Sequence, residues 1–201
     1  MEDPAKPLVL ISKKATRGGT EVFVYSPDQP ALFATVVAEL DRRNFNVHDA
    51  QIMTSKDGYV LDTFMVLDQH GQAVDESRHK AVIKHLAHVL KDGRPTKIKT
   101  RRVPRNLQHF KVKTRVDFLP TKSKKRTLME FVALDTPGLL ATVGATFADL
   151  DLHLHAAKIT TIGERAEDLF IITGEQGGKL TEEQEAQLRE SLTANVAELA
   201  P

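Results

Sequence analysis

The chain has 201 residues, 41% hydrophobic and 27% charged, the balance of one folded domain or a pair of small ones. Its 28 Lys and Arg against 27 Asp and Glu leave no net field to draw nucleic acid or a membrane, and no apolar run approaches the roughly 20 residues of a membrane span. The absence of cysteine excludes disulfides, thiolate metal sites and cysteine nucleophiles, and suits a cytoplasmic location.

In chain order, an acidic, Pro-containing start with no apolar signal core leads into an extended segment at 7–12. Glu21-Val-Phe-Val-Tyr25 is rich in strand formers and stops at a Ser-Pro-Asp turn. Leu32, Phe33, Val36, Val37 and Leu40 then recur at helical spacing. Strands are expected at 45–53 and 59–67 around the Asp57-Gly58 turn, then a helix carrying Val82, Leu86 and Leu90. Gly93, Pro95, Pro104 and several basic residues mark a linker. A second extended segment, 109–119, precedes a basic turn at 122–126, and both basic stretches read as solvated loops.

The same grammar then repeats. A shift of about 107 positions lays Thr127 on Thr20, Asp135 on Asp28, Leu139 on Leu32 and Val143 on Val36. The register continues at His48/His155, Ala50/Ala157 and Ile52/Ile159, and after one deletion at Asp62/Asp168 and Phe64/Phe170. The last helix carries Leu188, Leu192 and Val196 and opens with Thr181 and Gln184, a capping-box pattern. Duplication predicts an α+β chain of two ferredoxin-like βαββαβ units, antiparallel sheets with helices on one face. The first unit is expected at 7–95 (leading strand 7–12, core 20–91), a basic linker at 96–105, and the second unit at 106–201 (leading strand 109–119, core 127–199). Because the second copy ends on its helix, each fourth sheet position falls to a leading strand. The units are then permuted, or strand-swapped if 109–119 closes the first copy and 7–12 serves the second.

The strand-to-helix corner is the candidate site. Asp28-Gln29-Pro30-Ala31-Leu32 and Asp135-Thr136-Pro137-Gly138-Leu139-Leu140 set a carboxylate and a proline before a helix whose first N–H groups are free. Such a helix start suits a small anion, for example an amino acid's α-carboxylate. Gly138 lets a ligand approach the backbone, whereas Ala31 narrows that approach. The aspartates can equally serve as helix caps. Asn46, His48 and His155 stand at the strand start near this turn, and the histidines read either as hydrogen-bonded core residues or as ligand contacts. Strand parity puts His48 and His155 on the face packed against helices. Asp49 and Gln51 against Ala156 and Lys158 differ between copies, implying non-equivalent sites. Catalytic patterns are lacking: His48-Asp49 has no partners to complete a metal site, His79, His85 and His88 lack a metalloprotease glutamate, and no phosphate loop or nucleophile elbow occurs.

The Asp-x-Pro-Gly-Leu-Leu corner resembles the ACT domain family, whose members commonly sense free amino acids. Further, Arg17-Gly-Gly-Thr-Glu-Val-Phe-Val, Ala38-Glu-Leu-Asp-Arg-Arg-Asn, Val47-His-Asp-Ala-Gln-Ile and Ile159-Thr-Thr-Ile-Gly-Glu-Arg-Ala-Glu-Asp-Leu-Phe resemble the C-terminal tandem of bacterial bifunctional uridylyltransferase/uridylyl-removing enzymes. The resemblance implies a cytoplasmic regulatory segment that binds glutamine and has no catalytic centre. Its implied partners are the catalytic domains of a longer parent chain and, through them, the PII signal protein. The parent is implied to be a UTP-dependent nucleotidyltransferase and hydrolase needing magnesium, with no cofactor in this segment. Ala31, where the family pattern has Gly, shifts the expected ligand site toward the junction of the two copies. The alternatives are a free-standing tandem regulator of amino-acid metabolism genes and a module for homodimerisation.

Overall fold

A computed structural model describes residues 6–12, 18–29, 31–93 and 107–199. The first copy comprises β1 (Leu8–Ile11), β2 (Thr20–Pro27), α1 (Leu32–Arg42), β3 (Asn46–Gln51), β4 (Tyr59–Leu67) and α2 (Glu76–Asp92). The second comprises β5 (Arg115–Leu119), β6 (Thr127–Leu134), α3 (Leu139–Asp149), β7 (His153–Lys158), β8 (Thr161–Ile162), β9 (Arg165–Thr173) and α4 (Glu182–Ala197). The strands join one antiparallel sheet ordered β1-β2-β4-β3-β7-β9-β6-β5, with β8 beside β9. The expected linker at 96–105 lies outside the described residues.

β1 lies antiparallel beside β2, and β5 beside β6. Each leading strand therefore takes the fourth place in its own ferredoxin-like unit, and the strand-swapped alternative is not adopted. The second leading strand is shorter than the predicted 109–119. Arg115 pairs with Val132 and β6 ends at Leu134, so residues 109–112 have no ladder left to join. Leu107–His109 instead forms a 3-10 turn.

Alternation sets the buried face. Val22 and Val24 on β2, and Phe64 and Val66 on β4, point to the helices; Met129, Phe131, Phe170 and Ile172 do so in the second copy. Phe33 stacks on Phe64 at 6.3 Å between ring centres, and Phe147 meets Phe170 edge-on at 5.3 Å. The helices form one layer in which α1 packs on α3, with α2 and α4 outside. Thr181 and Gln184 make the predicted capping box. The chain leaves α1 and α3 through Asn44 and Asp151, at φ 59° and 52°. Short side chains that bond locally tolerate this left-handed conformation better than most.

The copies are joined in two ways of unequal strength. At the sheet seam only Gln51 and Lys158 are in register, beside an ion pair from Lys158 to Asp49. An exposed pair of this kind contributes at most about 1 kcal/mol. The helix contact is much closer: a methyl group at Gly144 would lie 2.8 Å from the Cα of Ala34. Close packing of α1 on α3 therefore sets how the copies meet. The seam also gives Asp49 and Lys158 a role that their counterparts Ala156 and Gln51 do not share, since the two pair across it.

Candidate functional site

The α1 and α3 corners both turn through a left-handed residue: Ala31 at φ 57° and ψ 21°, Gly138 at φ 86° and ψ −2°. The reading of Asp28 and Asp135 as helix caps is overturned, because the cap residues are Ala31 and Gly138 and neither makes a side-chain cap bond. Backbone bonds close the turns instead, from the Leu32 N–H to the Gln29 carbonyl (3.2 Å) and from the Leu139 N–H to that of Thr136 (3.0 Å). That closure moves the cap position on to Ala31 and Gly138, which have no polar side chain.

Each corner opens on a cavity walled by the other copy. The first, of about 370 Å³, runs from Asp28, Ala31 and Leu32 across to Gly144, Ala148, His153 and His155. The second, of about 320 Å³, runs from Asp135, Gly138 and Leu139 across to Val37, Asp41 and Asn46. Repeat-related positions line them in the same order, so a pseudo-twofold axis passes between α1 and α3. Gly144 stands where the other cavity has Val37, Ala148 where it has Asp41, and His153 where it has Asn46.

The predicted residues divide between the two cavities. Asp28, Gln29, Ala31, Leu32 and His155 line the first; Asn46 and the stretch from Asp135 through Leu140 line the second. His48 lines neither, and Pro30 lies outside the described residues. Gln29 turns partly away, its Nε2 donating to the Leu90 carbonyl at the end of α2 (3.1 Å). Simple parity also fails at the histidines, because β3 and β7 each carry a bulge there, between Val47 and Asp49 and between Leu154 and Ala156. The His155 Nε2 sits 3.0 Å from the Thr173 hydroxyl, and burial, reinforced by Arg126 and His153, holds its pKa below the usual value.

Residues not singled out beforehand complete the first cavity. Asp62 lines it and is 1% exposed; its Oδ1 accepts from the Met53 N–H at 3.4 Å, and its buried Oδ2 has no partner. Burial pushes its pKa up to about 7, and the neighbouring Asp28 adds to the rise. The cavity wall also raises the Asp28 carboxyl, against the backbone N–H of Gln29 and the attraction of His153 and His155. Asp168 repeats the pattern, with Oδ1 accepting from Thr160, an orphaned Oδ2 and a pKa raised by burial and Asp135 to about 7. An orphaned buried oxygen costs roughly 1–3 kcal/mol. The identity Asp62/Asp168 was visible in the repeat, but its burial next to the corner was not. His153 gave no signal, since its counterpart is Asn46.

The two corners differ at the amide. The Gly138 N–H donates to Oδ1 of Asp41, at the end of α1, at 3.2 Å. Among the described residues, none accepts from the Ala31 N–H, and the repeat-related counterpart of Asp41 is Ala148, which lines the same cavity. Asp135 is likewise engaged, its Oδ2 accepting from the Thr161 hydroxyl at 3.2 Å. The first cavity thus combines an available helix-start amide with one unpartnered carboxyl oxygen, the Asp62 Oδ2. Such a pair suits a ligand carrying both an anion and a cation, as a free amino acid does. The predicted helical histidines have structural partners: His79 at the Val74 carbonyl and His85 at the buried Glu39.

Comparison with known proteins gives the family. No family model matches the chain. The bifunctional uridylyltransferase/uridylyl-removing enzyme of Vibrio atlanticus (strain LGP32) is 82% identical over 201 residues, 100% of this chain and 23% of its own length. The enzyme of that name from Vibrio cholerae serotype O1 is 80% identical over 200 residues, with the same coverage. The one from Aliivibrio fischeri (strain ATCC 700601 / ES114) is 66% identical over 199 residues, 99% of this chain and 23% of its own. Among solved structures, aspartate kinase from Synechocystis aligns over 91% of this chain and 27% of that one, at TM-score 0.48 and 13% identity. The chain spans 23% of the length of the curated relatives and is matched over the whole of its own length, and it belongs to the family of bifunctional uridylyltransferase/uridylyl-removing enzymes as a segment of them.

Proposed function

We propose that this chain is the amino-acid-sensing regulatory segment of a uridylyltransferase/uridylyl-removing enzyme, and that glutamine binds in the first cavity. The observation that carries the reading is the orphaned Asp62 oxygen in a cavity shared by both copies and opening at the α1 start. The ligand's carboxylate meets the Ala31 amide and the α1 dipole, and its ammonium meets Asp62 and Asp28. The match to relatives more than four times longer favours this role over a free-standing gene regulator.

Because the cavity is walled by both copies, a ligand there favours one arrangement of α1 on α3 over any other. A coupling of roughly 1–3 kcal/mol to the catalytic domains of the parent switches their balance about 5- to 150-fold. Those domains, with magnesium, UTP and the PII signal protein, are engaged outside this segment. Titration calorimetry with L-glutamine, against L-glutamate and L-asparagine, tests the reading. Heat from glutamine that is lost in Asp62→Ala is expected; no glutamine heat at millimolar concentration sinks it.

A further inference from the structure

The pseudo-twofold arrangement provides a second corner with nearly every part of the first. It has a helix-start amide at Gly138, an aspartate at Asp135 and, behind it, Asp168, 0% exposed with an orphaned oxygen. Gly138 opens the backbone more fully than Ala31 does, and a Cβ there would meet nothing closer than Leu199 at 4.0 Å. By local chemistry the second corner is the better anion site. Yet its amide already holds a carboxylate, that of Asp41.

We propose that Asp41 is a built-in occupant of the second corner, a tethered carboxylate that closes this cavity to free amino acids and leaves sensing to the first. Asp41 stands half-buried at the end of α1 and lines the second cavity, with Oδ1 at the position a ligand's carboxylate would take. Being part of the chain, it competes without losing translational freedom, so a free carboxylate at ordinary concentration does not displace it. The repeat-related position is Ala148, a methyl group lining the first cavity, and among the described residues none accepts from the Ala31 amide. One substitution between the copies thus makes one corner a sensor and the other a strut. This inference rests on the amino-acid reading of the first cavity, but its test separates the two.

The test exchanges the two residues. Calorimetry with L-glutamine is run on the unaltered chain, on Asp41→Ala, on Asp41→Asn as the milder variant should the first fail to fold, and on Ala148→Asp. The Gly138 amide resonance is followed to locate binding. One site in the unaltered chain, two in the Asp41 variants with the Gly138 signal now moving, and at least a tenfold weaker first site in Ala148→Asp are expected, a loss of about 1.4 kcal/mol. Two sites in the unaltered chain, or an unchanged single site in folded Asp41 variants, overturn the plug and leave the sensing reading standing. Unchanged binding in Ala148→Asp also counts against it. Binding only after Asp41 is replaced supports the plug and overturns the first-cavity reading, and no binding in any form overturns both.

Discussion

The corner after β2 and the corner after β6 descend from one pattern, share a backbone path and end differently. In the first, an alanine is held at φ 57° with an amide that nothing described accepts from; in the second, a glycine sits at φ 86° with its amide on Asp41. The residue better suited to ligand approach is at the corner that is already filled. Availability of a donor is set by what faces it, not by the loop that presents it. A corner motif therefore marks where a site can be, and the opposing copy determines whether it is one.

The largest expected break of this contrast comes from Gly144→Val, which installs the residue of the second cavity in the first. Its Cβ would fall 2.8 Å from the Ala34 Cα, so α1 and α3 must part and the walls of the first cavity no longer meet a ligand together. Overpacking of this kind costs about 1–3 kcal/mol. Glutamine heat should disappear while urea denaturation still shows a folded chain; retained affinity would detach the cavity from sensing.

A pH effect from the two buried aspartates alters stability while leaving the first cavity open. Both have folded pKa values raised to about 7, so the folded chain holds more protons than the unfolded one between about pH 4 and 7. The sign is opposite to that of a paired carboxylate: this stability is full below about pH 4 and is lost as pH rises through 7. At most about 4 kcal/mol is at stake for each group. His155, whose pKa is lowered by burial, acts the other way and loses stability as pH falls below its ordinary value. Urea midpoints at pH 5 and 8 should show a less stable chain at pH 8, and Asp62→Asn and Asp168→Asn should each flatten the difference. Saturating glutamine should alter the Asp62 contribution and leave that of Asp168, because only Asp62 lines the first cavity.

The smallest effect sharpens the comparison at the turn itself. Ala31→Gly should stabilise the chain by about 1 kcal/mol by removing a left-handed non-glycine residue, and Gly138→Ala should destabilise it by a similar amount. Thermal denaturation of both variants checks this. Equal and opposite shifts mean the corners are alike in backbone and differ only in what faces them.

Much of the architecture was legible because periodicity and repetition are local. The buried alternation of β2, the 59–67 strand and the Thr181 capping box could be read from spacing alone, whereas the choice between permuted and strand-swapped units needed the observed strand pairing. The candidate corners were legible too, since Pro and Gly at a strand end leave few conformations. Thr20 and Thr127 stood out only as identities. The structure shows their buried hydroxyls accepting from the N–H groups of Val74 and Leu180, a tie between residues far apart in the chain.

What the sequence by itself determined is the pair of folded units, their strands and helices, and the two corners, because each follows from steric and hydrophobic patterns within a short stretch. Only the tertiary structure decided that the corners face the opposite copy, that Asp62 and Asp168 are buried beside them without a full set of partners, and that Asp41 reaches Gly138. The reason is that these depend on the angle at which α1 meets α3. That angle is set by the close approach of Gly144 to Ala34, a contact between distant residues that no local pattern announces.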